Sequence, residues 1–517
     1  ARCAQIAIWV VVMGWGTDFV NALGASSITP IYELEIVQTP INGSEKIYSD
    51  HGALQIVEAR VEGTSVIPHR WSVSFGSFTV SVAGDITRYT RFLRRGCIAI
   101  LRCRLDGLTS NERLSIGQLD SIRGQRGTYR LRFKDILSAF QSRISKTYSG
   151  NISQAQFFYG TNYTTTVSST FNPGDTTLNV ASTTNFDKSS AHDGILYCQP
   201  TGGNPFYMRW SAKGATSFTV SGSADHPSSV SAQTMPAGSL ITNAVRIKGA
   251  PHALFGQIIT STGAGTNGPL DLLPASYGSG FPLPHDFFDA VDAQSTNNYI
   301  IGDTGTSYSI DFTAFQPISN GLRAIMDIFA EVGQWPVMRQ NSFTWRGCFD
   351  PTGTFGGKPA LSAHIRDVHI VSINGIDFFD PALKAVFVAV NMAYNVAGTK
   401  TARSNSLTNS LPVAGLKERE FGFYYDAGMN ELNMGIGDRD RMAIWDFYNW
   451  AKISLRVSLR FAVLCAGDFV LLSSRYIRDS YTQVGETYVA RPAMVLEIGY
   501  NLNDRTCNIV LGVPPQF

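Results

Sequence analysis

The chain of 517 residues is long enough for roughly three or four domains of ordinary size. Its charge is low and nearly balanced, with 42 lysines and arginines against 40 acidic residues, and charged residues make up only 16% of the chain. A protein that grips nucleic acid through its phosphates usually carries a much stronger basic excess, so free DNA binding is disfavoured. Low charge together with 48 glycines favours a β-rich fold with many turns and large subunit interfaces.

The seven cysteines share no CxxC spacing and are scattered along the chain, at Cys3, Cys97, Cys103, Cys198, Cys348, Cys465 and Cys507. If the segment around Cys97 and Cys103 is one strand, both face the same side, and a disulfide within one strand has poor geometry. We therefore predict reduced, mostly buried thiols in a protein made in the cytoplasm, in preference to a disulfide or zinc framework.

One apolar run, residues 6–13, lies near the start of the chain. It is too short to cross a bilayer, which needs about 20 residues. Only Arg2 precedes it, and no clear cleavage site follows, so the features of a signal peptide are incomplete. We interpret the run as a buried strand.

Residues 1–159 are predicted to form an N-terminal β domain. Its predicted strands are an alternating stretch with Phe78, Val80 and Val82, the apolar segment 97–105, and a hairpin with arms 116–122 and 128–133 around a turn at 124–127. Asp135 is predicted to cap a short helix with Ile136, Phe140 and Ile144 on one face.

Residues 160–247 are predicted to be a small β module inserted into a larger domain. Serine, threonine and glycine dominate here, and charge falls. Apolar residues recur regularly enough to predict four short strands, at 176–180, 194–198, 207–210 and 217–220. The composition leaves a disordered linker as the alternative.

Residues 248–360 are predicted to form a mixed unit of helices and a hairpin. A short helix is expected at 251–259, followed by a glycine-containing loop at 261–268. A second helix is expected to begin at Ser319 or Asn320 and to end at Gly333, and a hairpin follows at 335–346.

Residues 361–517 are predicted to form a C-terminal β-barrel domain, interrupted by a polar loop near 398–410. An amphipathic helix is expected at 438–451, and an alternating strand follows it, with Ile453, Leu455, Val457, Leu459 and Phe461 on one face. A Gly467–Asp468 turn then opens a strand at 469–472, and a hairpin closes the domain with arms 494–500 and 507–511 around a turn at 501–504.

Motifs that would indicate enzyme chemistry are weak. His364 and His369 would face opposite sides of a single strand, so they are poor metal ligands. The GxGxxG letters at 263–268 follow a predicted helix and lack a βαβ context, and residues 356–358 lack the spacing of a phosphate-binding loop. The turn at 501–504 has no glutamate to complete a calcium site. We predict no catalytic, cofactor-binding or metal-binding residues.

Four arginines lie on the polar faces of predicted strands: Arg130, Arg132, Arg456 and Arg460. They are either part of a solvated strand face or part of an interface or lumen, where the guanidinium fork pairs with carboxylates. The sequence leaves both interpretations open.

Three segments together resemble the tail hub (tail-tip or baseplate hub) proteins of long-tailed bacteriophages and gene transfer agents. The first is Arg94–Arg95–Gly96 leading into a strand, with the arm 127–133 running into Asp135. The second is the helix at 320–332 joined to the hairpin at 335–346, with 251–259 upstream. The third is the C-terminal unit, from the helix at 438 to the closing hairpin.

The resemblance implies a mainly β (α+β) fold of tandem β-barrel-like hub domains, with a few short helices and the inserted module on the outer face. It implies a homotrimer that closes the tail tube, contacts the distal tail protein, the tape measure protein and fibre or spike proteins, and lets DNA pass as cargo. Such a protein would be assembled in the host cytoplasm, reside in the virion tail tip and contact the host envelope at attachment.

Two other functions stay open. A carbohydrate-binding tail adhesin would use exposed tyrosine and tryptophan side chains of the inserted module. A tail-associated cell-wall hydrolase would use the carboxylates of Asp286, Asp289 and Asp292, which lie beside Phe287 and Phe288, because glycoside hydrolysis needs two carboxylates flanking a sugar cleft.

Overall fold

The structure is a computed structural model. It describes residues 15–25, 27–37, 44–67, 72–74, 76–90, 92–136, 164–184, 186, 188, 193–225, 230–249, 310–314, 334–339, 342–347, 361–378, 383–390, 402–408, 417–422, 450–478 and 487–513.

The described residues are mainly β, as the sequence predicts. They contain one α-helix, α1 (Thr17–Leu23), and three short 3-10 helices, at Thr87–Tyr89, Asp367–His369 and Leu459–Val463. No helix in these ranges is long and apolar enough to cross a membrane. The strands are β1 (Pro30–Val37), β2 (Ser44–Tyr48), β3 (Leu54–Ile67), β4 (Ser72–Ser74), β5 (Ser77–Gly84), β6 (Ile98–Leu105), β7 (Glu112–Gln125), β8 (Thr128–Asp135), β9 (Thr164–Thr166), β10 (Thr177–Asn179), β11 (Gly194–Gln199), β12 (Phe206–Lys213), β13 (Ser217–Val220), β14 (Leu240–Gly249), β15 (Ile310–Ala314), β16 (Gln334–Arg339), β17 (Ser342–Gly347), β18 (Leu361–Arg366), β19 (Ile370–Phe378), β20 (Leu383–Val390), β21 (Ala402–Thr408), β22 (Lys417–Gly422), β23 (Ala451–Ser458), β24 (Phe469–Arg478), β25 (Thr487–Asn501) and β26 (Thr506–Val513).

Strands from the first part of the chain close into a ring. β3 pairs with β2, and the pairing continues through β1, β6, β7, β8 and β5 back to β3. The predicted strands are confirmed here, because every second residue of β6 is buried and the phenyl rings of Phe78 and Phe133 stack inside, with centroids 4.5 Å apart. In the β7–β8 turn both Arg126 and Gly127 have positive φ, as a two-residue type I′ hairpin requires.

The last part of the chain forms a curled sheet in the order β19–β23–β26–β25–β24–β18. Its two outermost strands, β18 and β19, are joined by only the 3-10 turn Asp367–His369, so the sheet bends round until its ends meet at one corner. The predicted β25–β26 hairpin around 501–504 and the Gly467–Asp468 turn are both confirmed.

The ring and the curled sheet are one continuous sheet. β25 pairs on one side with β26 and on the other with β3, where Tyr500 lies opposite Val61 and Asn501 opposite Arg60. Any side chain at Gly63 would run into the carbonyl of Ile498, so a glycine allows the strands to approach here. One hydrophobic core contains residues from Trp15 to Val513, and we call this combined unit the body.

The inserted segment folds as a separate sheet, β10–β13–β12–β11–β14, with β9 also on β14 and β15 on the far end of β14. It has its own core, which includes Phe171, Phe206, Phe218 and Ile241. All four predicted strands are present, so the linker interpretation is wrong. We call residues 164–249 the module.

The remaining described strands form two small sheets. β16 and β17 form the predicted hairpin, and β20 pairs with β21 and β22. The division of the chain at residues 159, 247 and 360 stays a prediction.

Three local predictions are wrong. Ala451 begins β23 instead of ending a helix. Leu459 and Phe461 are buried as expected, but they belong to a 3-10 helix, because the strand ends at Ser458. The predicted polar loop at 398–410 contains β21, whose pairing with β20 outweighs its polar composition.

Several predictions fall outside the described residues. They are the apolar run 6–13, the helices at 251–259, 319–333 and 438–449, the stripe beyond Ile136, the glycine motifs at 263–268 and 356–358, and the carboxylates of Asp286, Asp289 and Asp292.

Candidate functional site

The junction between the ring and the curled sheet is held by polar contacts from the β25–β26 turn. The Tyr32 hydroxyl donates to Asn503 Oδ1 at 2.7 Å, and Asn501 Nδ2 donates to Glu58 Oε1 at 3.1 Å. The Tyr500 hydroxyl donates to the carbonyl of Leu114 at 3.3 Å. These contacts join residues almost the whole chain apart, and they fix the two halves of the body in one orientation.

Burial controls the ionisation of the junction phenols. It raises the pKa of Tyr32 and of Tyr500 well above the usual range, so both keep their protons and act as hydrogen-bond donors. The indole of Trp15 packs edge-on against Tyr500 at 5.6 Å and donates to the carbonyl of Arg113 at 2.9 Å. The arrangement suits a rigid joint, since each of these buried polar groups has a partner.

A second connection runs through the β16–β17 hairpin. The amide of Met338 donates to Thr64 Oγ1 on β3 at 3.0 Å, and Thr64 is buried. On the other arm, Arg346 Nε and Nη2 lie 3.0 and 2.9 Å from Asp468 Oδ1 in the Gly467–Asp468 turn. The hairpin therefore clamps the ring to the curled sheet.

The Arg346–Asp468 ion pair is buried on both sides, with exposed side-chain fractions of 9% and 5%. The second carboxylate oxygen of Asp468 accepts the amide of Cys465 at 2.9 Å. A buried charge of this kind is tolerated only while its partner is present, so the pair makes docking of the hairpin specific.

The thiols of the described cysteines are all free, as predicted. Cys103, Cys198, Cys465 and Cys507 are buried, whereas Cys97 is partly exposed. Burial raises the pKa of the Cys103 thiol to about 12 and of Cys97 to about 11, and it also raises those of Cys198 and Cys507. These thiols are protonated at neutral pH and are poor nucleophiles.

The aromatic residues that an adhesin would need are mostly inside the module. Trp210 and Tyr207 have exposed fractions of only 2% and 1%, and Trp210 packs edge-on against Phe218 at 5.3 Å. Tyr197 is partly exposed and lies beside Tyr207. The expectation of an exposed tryptophan platform is therefore wrong, because the module needs Trp210 to fill its core.

The four arginines differ in exposure, and the choice between a solvated face and an interface stays open. Arg130 and Arg132 are exposed on β8, while the alternate residues Leu131 and Phe133 are buried. Arg456 is half-buried and donates to Thr506 Oγ1 at 3.0 Å. Arg460 is exposed, and it lies in the 3-10 helix and not on a strand.

The two histidines meet at the corner between β18 and β19. The sequence predicts both histidines on a single strand. In the structure they do not share one, because His369 lies in the 3-10 turn after β18. Arg366 Nε donates to His364 Nδ1 at 3.3 Å, and the Arg366 amide donates to His369 Nδ1 at 3.2 Å. Burial and the neighbouring arginines hold the pKa of both imidazoles below its usual range. Among the described residues no group of three metal-ligating side chains occurs.

Comparisons with known proteins give structural similarity without sequence similarity. No family model matches the chain, and no curated protein matches it. Three similar solved structures are a tail protein from Neisseria meningitidis, a 43 kDa tail protein of a Shewanella oneidensis prophage and a prophage tail protein from Listeria monocytogenes. Their sequence identities to this chain are 8%, 10% and 9%, and their TM-scores are 0.38, 0.37 and 0.34.

These similarities extend over nearly the whole chain. Each covers 94% of this chain, and they cover 96%, 98% and 94% of the respective tail proteins.

Proposed function

We propose that the chain is a structural protein of a bacteriophage-type tail, acting as a hub at the tail tip or baseplate. The observation that carries the proposal is the body, in which a closed ring of strands and a curled sheet share one core and one continuous sheet. Such a unit presents large, rigid β surfaces, which suits a structural component that assembles with other proteins through its surface. The similar structures described above are tail proteins by name, and the proposal extends that role to this chain.

The finer parts of the proposal come from the sequence resemblance. They are a homotrimer that closes the tail tube, contacts with the distal tail, tape measure and fibre or spike proteins, and passage of DNA through the assembled ring. The buried, protonated thiols and the paired junction phenols suit a role without catalysis.

Electron microscopy of the purified chain, and of particles from a lysate that contains it, tests the proposal. The expected result is a ring with three-fold symmetry and a central hole, with the module outward, and antibody label against the module at the tail tip. Compact monomers that are absent from every tail would exclude the hub role.

Lytic activity separates the hub from the hydrolase. Zymography on purified peptidoglycan should show no clearing with the wild-type chain. Clearing that disappears in Asp286→Asn or Asp289→Asn would replace the structural role with an enzymatic one.

A further inference from the structure

The outer strand of the curled sheet, β19, has the properties of a strand that accepts another strand. Among the described residues it pairs only with β23. Its apolar side chains Val371, Ile373 and Ile376 are 59%, 37% and 48% exposed. The strand contains one charged residue, Asp377, and no lysine or proline. Natural edge strands usually block pairing with lysine, proline or several charges, and an edge with a single charge is more open to strand addition.

At the start of β19 the corner holds two hydrogen-bond donors that face each other. The amide of Arg366 donates to His369 Nδ1, so a neutral His369 carries its proton on Nε2. That nitrogen lies 3.4 Å from Nη1 of Arg460, which can only donate. An oxygen about 3 Å from both nitrogens would accept both bonds.

Arg366 adds a second cation at the same corner, and its position is fixed. Its Nε donates to His364 Nδ1, which leaves the His364 Nε2 proton for Ser473 Oγ at 2.8 Å. The same hydroxyl oxygen accepts the amide of Ala490 at 2.8 Å. The other nitrogens of the Arg366 guanidinium carry donors beyond this network.

No carboxylate among the described residues pairs with Arg366 or Arg460. The neighbouring carboxylate of Asp367 accepts the Arg475 amide at 3.2 Å and lies 3.7 Å from Arg475 Nε. The corner is therefore positively charged, and its two guanidinium groups have no carboxylate partner in the described part of the chain, which is the chemistry that recognises a carboxylate.

We propose that an extended segment of a partner protein adds to the free edge of β19 and places a carboxylate against Arg366, His369 and Arg460. Charge complementarity selects an acidic residue at the end of that segment. The exposed valine and isoleucine side chains, together with Val368 at 86% exposure, favour a polypeptide over a nucleic acid, whose backbone offers little to apolar groups. The inference rests on this edge and corner, and it goes beyond the tail role.

A pair of amidated, fluorescent peptides tests it, each alternating threonine and valine over six residues and ending in glutamate or in glutamine. Fluorescence anisotropy with the whole chain should show about tenfold tighter binding of the glutamate peptide. Arg366→Gln or Arg460→Gln should abolish that preference. Ile373→Lys should weaken both peptides, because it places a charge on the edge.

Arg132→Gln is the matched control, since it removes an exposed arginine from a strand of the same sheet outside the corner, and it should leave binding unchanged. Circular dichroism should show all variants folded. Any one of these results would overturn the proposal: no binding of either peptide at millimolar protein, equal binding of both, or tighter and Arg460-dependent binding of a single-stranded oligothymidine. Self-association of the wild-type chain that Arg460→Gln removes would assign the corner to a second copy instead and overturn it as well.

Discussion

The body and the module each bury a hydrophobic core, but the residues that form the two cores lie at different separations along the chain. Every member of the module core lies between Val167 and Ile241, so its strands find partners within about 75 residues. The body core joins Trp15 to Val513, and its central seam pairs β3 with β25. The module is thus built from local contacts, and the body depends on contacts that only the whole chain can make.

This difference predicts that the two regions respond separately to damage. A local core should lose stability without affecting the body, whereas the body should be sensitive at the few contacts that bridge its halves. The following changes test that separation, in order of decreasing effect.

Phe218→Ala should destabilise the module by about 4 kcal/mol, because it empties a fully buried site packed against Phe186 and Trp210. Native-state hydrogen exchange should show faster exchange in β10–β14 and unchanged protection in β3 and β25. Equal loss of protection in both regions would show that they unfold as one unit.

Arg346→Ala should destabilise the body by about 3 kcal/mol, because it leaves the Asp468 carboxylate buried without its counter-charge. The urea concentration at the midpoint of body unfolding should fall, while hydrogen exchange in the module should stay unchanged. The control is Arg209→Ala in the module, which removes partly exposed ion pairs with Asp193 and Asp225 and should cost less than about 1 kcal/mol. If both variants cost the same, the hairpin does not clamp the body.

Alkaline pH should destabilise the body through Cys103. The pKa of its thiol is about 12 in the folded protein, against a usual value of 9. The thiol therefore contributes fully to the free energy of unfolding below pH 9, and this contribution is lost between pH 9 and 12 as the unfolded state releases the proton. The stability should fall by up to about 1.4 kcal/mol per pH unit for this proton. In Cys103→Ala the slope over that window should be shallower, and an unchanged slope would exclude the contribution.

Tyr32→Phe should cost about 1 kcal/mol, because it removes the hydroxyl that donates to Asn503 and keeps the buried ring. Thermal unfolding should place the whole loss in the body transition. In the module, Tyr197 is partly exposed and its hydroxyl has a hydrogen bond to Gln199. A loss of the same size from Tyr197→Phe would mean that the buried junction bond stabilises the protein no more than a partly exposed one.

The sequence by itself determined the local elements. Period-two alternation predicted β5, β8 and β23, and the turn residues around Gly127, Gly467 and Asn501 predicted where strands reverse. These features depend on neighbours within a few residues, so they can be predicted from the sequence without knowing the fold. The five described cysteines, four of them buried, are free, as their scattered spacing predicts.

Tertiary structure alone decided which strand pairs with which. Many strands share the same alternating pattern, so nothing local distinguishes β25 as the partner of β3, and the ring closure between β3 and β5 is equally hidden. The long-range environment also buried Trp210, turned Leu459 and Phe461 into a 3-10 helix, and brought His364 and His369 together beside two arginines. Strand pairing and side-chain burial depend on how well surfaces from distant parts of the chain pack together, and these contacts form only when the chain folds.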